Sequence, residues 1–150
     1  MARTQKGTLI SGSVLKKMLK ARVARLATAG RGGVPHLVPI CFVFDGQFFY
    51  SAVDRKPKRA EGRMLQRIRN IAQHDAVALL VDHYAEDWRS LWYVLVRGRA
   101  RLISNSRNKE RAHAIGLLRK KYRQYTTAML PADAPVIRIK PERWTVWSGR

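Results

Sequence analysis

Val34-Pro35-His36-Leu37-Val38-Pro39-Ile40-Cys41-Phe42-Val43-Phe44-Asp45-Gly46-Gln47-Phe48-Phe49-Tyr50-Ser51-Ala52-Val53 reads as two apolar runs hinged on one polar pair, Asp45-Gly46. Asp-Gly between alternating apolar runs is a strong signal for a two-residue hairpin. The type I′ turn is expected, because Asp and Gly tolerate the positive φ that both of its central positions need. In the first run one parity holds Val34, His36, Val38, Ile40, Phe42 and Phe44, and the other holds Leu37, Cys41 and Val43. A strand apolar on both parities is expected to be central and buried on each side. Upstream, Gly30-Arg31-Gly32-Gly33 separates it from a shorter apolar and basic run at 22–29, a strand followed by a tight turn. The three runs make a meander.

The second run leads directly into Asp54-Arg55-Lys56-Pro57-Lys58-Arg59, and seven of the fifteen residues from 55 to 69 are Lys or Arg. A strand end followed by a basic turn and a helix start suits a phosphate, since side-chain cations and free backbone N–H groups converge there. The competing reading is a solvated basic loop. Met64, Leu65, Ile68, Ile71 and Ala72 then form one face of a helix, with Arg63, Arg67 and Arg69 elsewhere around it. Strands follow at 76–83 and 91–103, joined by a polar connection holding Glu86, Asp87 and Trp88. In the longer strand Trp92, Val94, Val96, Ala100 and Leu102 are expected to face a core, and Arg97, Arg99 and Arg101 to face away. Gly98 in its middle marks a bulge or a close backbone approach.

A helix over 107–124 would bury Ala114, Ile115, Leu118 and Tyr122, and two short strands at 136–139 and 144–147 would be broken by Pro141-Glu142. Near the start, residues 1–8 read as a loose basic tail. Ser11 or Ser13 would cap a helix carrying Val14, Leu15, Met18 and Leu19. The expectation is a single domain over 1–150, mainly β: a β-barrel with flanking helices, closed so that the meander leaves no bare edge.

Composition narrows the partners without naming one. Thirty Lys and Arg against ten Asp and Glu give a formal charge of +20, a field that attracts nucleic acid, anionic membrane, phosphate cofactors and acidic substrates alike. The single cysteine, Cys41, cannot form an internal disulfide, and no run approaches the length of a membrane span, so a cytoplasmic location is expected. His36, His74, His83 and His113 lack metal-ligand spacing, and no metal site is expected. There is no G-x-S-x-G elbow and no Walker or Rossmann glycine pattern. Asp82, Glu86 and Asp87 cluster near one strand end, but beside so many cations they read as salt-bridge partners. A basic barrel with Tyr and Trp could bind RNA or single-stranded DNA, although no RRM, KH or helix-turn-helix signature is present.

Residues 22–103 also resemble the flavin and deazaflavin split-barrel superfamily that includes the pyridoxamine 5′-phosphate oxidases, most nearly its probable coenzyme F420-dependent branch. The likeness is carried by Ala24-Arg25-Leu26-Ala27-Thr28, Pro35-His36-Leu37-Val38-Pro39-Ile40 and Tyr50-Ser51-Ala52-Val53-Asp54 with Lys56-Pro57-Lys58. Arg69-Asn70-Ile71, Leu80-Val81-Asp82-His83-Tyr84, Asp87-Trp88, Leu91-Trp92 and Gly98-Arg99-Ala100-Arg101 extend it. The resemblance implies an FMN-binding split β-barrel fold and a homodimer with cofactor sites at its interface. The implied cofactor is F420, with FMN as the alternative, and the implied reaction is hydride transfer to an unsaturated or quinone-like small molecule. Pro39 and Ile40 would lie along the ring system, and Ser51, Ala52, Val53 and Asp54 beside the ribityl chain. Lys56 and Lys58, with Arg55, would hold the phosphate, while Trp88, Trp92 and Trp147 would wall the ring. The second strand lacks the oxidases' basic segment, which argues against pyridoxamine phosphate oxidation. No side chain is singled out as catalytic.

Overall fold

The computed structural model describes residues 3–6, 12–54, 65–103 and 108–149, and in it the Asp45-Gly46 break is indeed a hairpin. Its turn differs from expectation. Gly46 has φ +97°, and among the described residues no non-glycine has a positive φ, so only the first central position is left-handed. That is the type II′ pattern, with Gly46 and Gln47 at the centre. Asp45 stands just outside, where its carboxylate accepts the Gln47 and Phe48 N–H groups at 2.9 and 2.8 Å. The acid closes the turn with its side chain and has no need of a left-handed backbone.

Among the described residues, eight strands form one antiparallel sheet. They are β1 (Arg3–Lys6), β2 (Ala24–Ala29), β3 (Pro35–Ile40), β4 (Val43–Phe44), β5 (Phe49–Ala52), β6 (Ala76–His83), β7 (Trp92–Ile103) and β8 (Val136–Ser148). The order is β3-β2-β6-β7-β8-β5-β4, with β1 also on β8. The two ends of this path, β3 and β4, are consecutive in the chain. Three residues of backbone span at most about 11 Å, so Ile40 and Val43 stay close and the sheet must curl until its ends meet. That corner is what makes the sheet a split barrel.

The apolar run at 34–45 is therefore not one central strand. It divides at Cys41-Phe42 into two edge strands, and β3 leaves Pro35, Leu37 and Pro39 exposed. The strand buried on both faces is β5, because α3 (Lys109–Lys121) covers the side turned away from the barrel interior. Nor is the start of the chain wholly a loose tail: residues 3–6 pair with Arg143–Val146. Only the first half of β8 pairs with β5, and β1 takes the edge that remains. A ladder of backbone hydrogen bonds needs no apolar pattern, which is why this strand is invisible in the sequence.

Pro141-Glu142 does not break β8 either. The strand runs continuously past a bulge in which Gly98 faces Pro141 and Arg97 faces Arg143, leaving Glu142 unpaired. Gly98 is what permits it. A Cβ built there would overlap the Lys140 carbonyl oxygen, with the carbonyl carbon at 3.0 Å and Pro141 Cα at 3.2 Å. Elsewhere the alternation of β7 is as expected, with Trp92, Val94, Val96 and Ala100 buried and Arg97, Arg99 and Arg101 exposed.

α1 (Ser13–Lys20) starts after Gly12 without a side-chain cap and buries Met18. α2 (Gln66–Gln73) buries Ile68 and Ile71 against the same core as Phe42, Phe49, Leu79, Val94 and Trp144. Its buried Asn70 donates to Thr28 at 3.0 Å and accepts from Gln66 at 2.7 Å. Fully satisfied, that amide fixes α2 to β2 at little cost. α3 buries Ala114, Ile115 and Leu118 over a second core with Tyr50, Ile103 and Val136.

Gly98→Ala should destabilise the fold by about 1–3 kcal/mol, since backbone and not a flexible side chain must give way. Gly116→Ala, in α3 with nothing within 4 Å of the new methyl, should stabilise it by about 0.5–1 kcal/mol. Urea unfolding of the two variants against the parent chain checks both signs.

Candidate functional site

At the corner where the sheet closes, two strand ends meet through tyrosines from the segment after α3. Tyr122 Oη accepts the Phe42 N–H at 2.9 Å and lies 2.9 Å from the Arg22 carbonyl oxygen, so it ties the β3–β4 link to the start of β2. Tyr125 donates to Asp54 Oδ2 at 2.9 Å, just past the end of β5, and its hydroxyl is also beside the Cys41 thiol. Cys41, which follows the expected ring-side pair Pro39-Ile40, and Asp54, at the end of the expected Ser51–Asp54 segment, are thus linked by one side chain. Ser51 and Ala52 are buried in the ladder with β8, and the Val53 N–H continues it to the Pro135 carbonyl at 2.8 Å. Burial raises both phenols, Tyr122 to about 12, and Tyr125 further with Cys41 and Asp54 adding to the effect. Both stay protonated donors at neutral pH.

Arg67, in the first turn of α2, is the third member. The sequence placed it only off the apolar face of the helix, yet it is half-buried and close enough to Asp54 to feel its charge. Burial lowers its pKa, and Asp54 works against that shift. Its Nε is buried and has no hydrogen-bond partner among the described residues. A buried guanidinium N–H without an acceptor costs free energy, and an anionic oxygen would relieve it. The corner therefore fits a phosphate-bearing cofactor. Nothing in the sequence marked Tyr125, and Arg67 was legible only as one cation among seven. Arg55, Lys56 and Lys58 lie outside the described residues.

The tryptophans do not gather in one place. Trp92 is buried at the start of β7 with His83 stacked on it, ring centroids 6.3 Å apart and 17° from parallel. It lines a cavity of about 670 Å³ together with Lys17, Lys20, Arg22, Arg25 and Asp82. Arg25 is the cross-strand partner of Pro39, so this cationic cavity begins one strand away from the candidate ring-side residues. Trp147 leaves β8 on the opposite face, half-buried and stacked on Tyr93 at 5.9 Å. Trp88, in a 3-10 turn at Trp88–Ser90, is 69% exposed. Trp92 and Trp147 of one chain therefore cannot wall the same ring. Among the described residues no three His, Cys, Asp or Glu are placed to hold a metal ion, and no helix is long and apolar enough to cross a membrane.

Residues 13–148 match the family model described as pyridoxamine 5′-phosphate oxidase. The chain is also 30% identical over 127 residues to the 5a,11a-dehydrotetracycline/5a,11a-dehydrooxytetracycline reductase of Streptomyces rimosus, covering 82% of this chain and 72% of that protein. Among solved structures it resembles an F420 reductase, with a TM-score of 0.62 and 23% identity over 91% of this chain and 98% of the other. It also resembles a FAD-binding protein from Mesorhizobium loti, with a TM-score of 0.65 and 24% identity over 99% of each chain. At these identities the two structures show the fold alone.

Lys121 gives the corner a pH signature. Its Nζ donates to the Phe42 carbonyl at 2.9 Å and sits 3.8 Å from the Phe42 ring centroid. Burial, with Arg22 next in effect, lowers its pKa to about 8. Below that pH the folded chain holds an ammonium at a cost. Between about 8 and the ordinary lysine value the unfolded chain binds more protons, so this contribution to stability rises with pH. Tyr122 acts in the opposite sense only above about 10, where an exposed tyrosine ionises. Chemical unfolding from pH 8 to 9.5 should thus show a smaller rise, or a larger fall, in Lys121→Met than in the parent chain.

Proposed function

The chain belongs to the pyridoxamine 5′-phosphate oxidase family, and on that premise we propose that it is a dimeric oxidoreductase using coenzyme F420 to reduce an unsaturated or quinone-like small molecule. The observation that carries this reading is the relationship, over four-fifths of the chain, to a reductase of dehydrotetracyclines. When bound, the deazaflavin ring supplies or takes up the hydride, and the protein binds, orients and excludes water. In this assignment the Pro39–Ile40 backbone lies along the ring and Ser51–Asp54 beside the ribityl chain. Lys56 and Lys58, with Arg55, hold the phosphate, and Arg67 joins them through the N–H that lacks an acceptor. Tyr125 keeps Asp54 hydrogen-bonded and turned from the incoming anion.

Two observations favour F420 over FMN. The cations from Arg59 to Arg69 exceed what one phosphate needs. The cavity next to Pro39 offers Lys17, Lys20, Arg22 and Arg25 to a longer anionic tail. The dimer is favoured by the edge strand β3 and the residue before it: Val34 and Leu37 are 73% and 67% exposed, and Pro35 and Pro39 are open as well. A second copy would cover that apolar edge.

Light scattering across a tenfold dilution should give about twice 17.2 kDa throughout, and a stable, cofactor-binding monomer would count against the shared site. For the cofactor, dissociation constants of F420 and FMN should be measured on Lys58→Ala, Arg67→Gln and the control Lys120→Gln, with melts to verify folding. Loss of one charge-assisted bond to phosphate should weaken F420 binding about 10- to 150-fold. The exposed Lys120 should matter little at physiological salt. Tighter binding of FMN than F420 would make the protein a flavin enzyme of the same fold, and equal small losses in all three variants would remove the site.

A further inference from the structure

The outward face of β7 and β8 sets cations directly opposite one another. Arg97 faces Arg143, Arg99 faces Lys140 and Arg101 faces Arg138, three like-charged rungs in succession on adjacent strands. Like charges opposite each other weaken a sheet, and none of these side chains is needed to fill the core. Acids offset part of the charge: Asp75 and Glu142 pair with Arg99, and Glu110 pairs with Arg138. Arg97, Arg101, Lys140 and Arg143 make no hydrogen bond or ion pair among the described residues. A depression of about 400 Å³ opens at the bulge, between Arg97, Arg99 and Arg143. Further along the same face, past Leu95 and Thr145, the half-buried rings of Tyr93 and Trp147 stack on each other, 19° from parallel.

We infer that this face binds single-stranded nucleic acid, with the phosphodiester backbone along the cations and a base packed against the Tyr93–Trp147 pair. Outward residues on a strand recur about every 7 Å, so the unpaired cations form an array on which a polyanion can lie extended. Such an array beside partly open aromatic rings is the combination that holds single strands without sequence preference: charge tracks the backbone and any base can stack. A duplex hides its base faces and would use only the charge. An anionic membrane would use the charge too, but the apolar groups described on this face, Tyr93, Leu95 and Trp147, are half-buried and offer little to insert. A second copy docked across a two-fold axis on this face would set cations against cations.

Fluorescence anisotropy of a labelled oligothymidylate, titrated between about 50 and 200 mM salt, tests the inference. The triple variant Arg97→Gln/Arg101→Gln/Arg143→Gln should weaken binding at least about tenfold at physiological salt. It should also flatten the log–log salt dependence by about 2, three cations at about 0.7 each on a single strand. A control with the same charge change elsewhere, Lys16→Gln/Lys120→Gln/Arg123→Gln, should weaken it far less. Tyr93→Leu should weaken it about fivefold or more without changing the salt slope, because stacking and not charge is lost. Four outcomes would overturn the inference: equal losses in the two triple variants, duplex bound as tightly as single strand, tighter binding to phosphatidylglycerol vesicles than to the oligonucleotide, or an altered oligomeric mass in the Arg97/Arg101/Arg143 variant.

Discussion

The fold depends on a link two residues long. Cys41 and Phe42 join the strands at opposite ends of the sheet path, and no flat sheet can satisfy that connection. Closure by covalent geometry leaves a seam, since β3 and β4 share a corner but no ladder among the described residues. What holds the seam is polar: Tyr122 on the Phe42 backbone and the Arg22 carbonyl, Lys121 on the Phe42 carbonyl, and Arg22 on the Lys121 carbonyl. All these bonds run through the C-terminal end of α3. The helix is therefore more than a cover for β5. It staples the barrel at the point where backbone groups would otherwise be buried without partners.

What was legible in the sequence is what a local pattern can encode. The parity of β7 follows from Trp92, Val94, Val96 and Ala100 alternating with Arg97, Arg99 and Arg101. The buried face of α3 follows from Ala114, Ile115, Leu118 and Tyr122 at helical spacing. Gly98 announced its close approach because nothing else explains a glycine inside so regular a strand. The misreadings share one cause. The run at 34–45 is apolar on both parities, which fits a central strand and fits equally an edge strand awaiting a cover. Only the tertiary path distinguishes the two. Strand β1 and the continuity of β8 through Pro141 rest on backbone pairing, to which side-chain pattern is nearly blind.

The candidate site was half legible for the same reason. The basic loop after β5 is written in consecutive residues, whereas Tyr125 and Arg67 reach Asp54 only because α2 and the segment after α3 pack against one strand end. A cation's place in the sequence says little about its surroundings. Arg67 and Arg69 are two positions apart, yet Arg69 is exposed and bonded to Gln66, while Arg67 is half-buried beside an acid with a donor unmet. For a single bound phosphate in a chain of charge +20, the informative cations are those withdrawn from water, because there one anion's contribution is large against solvent screening.

The chemistry of the corner follows from the same withdrawal. Tyr122 and Tyr125 are held protonated well above neutral pH by burial, and Asp54 is already engaged by Tyr125, so the groups gathered there donate and position. The two phenols hold their protons too tightly to act as general bases near neutrality, while Lys121, lowered to about 8, is engaged on the Phe42 carbonyl. Such a corner is consistent with the proposed reaction, in which the difficult step would belong to a bound ring and the protein would bind, orient and exclude water. On the proposed assignment, specificity would come from the shape of the apolar edge at Val34, Leu37 and Pro39, whose side chains are exposed on and just before β3.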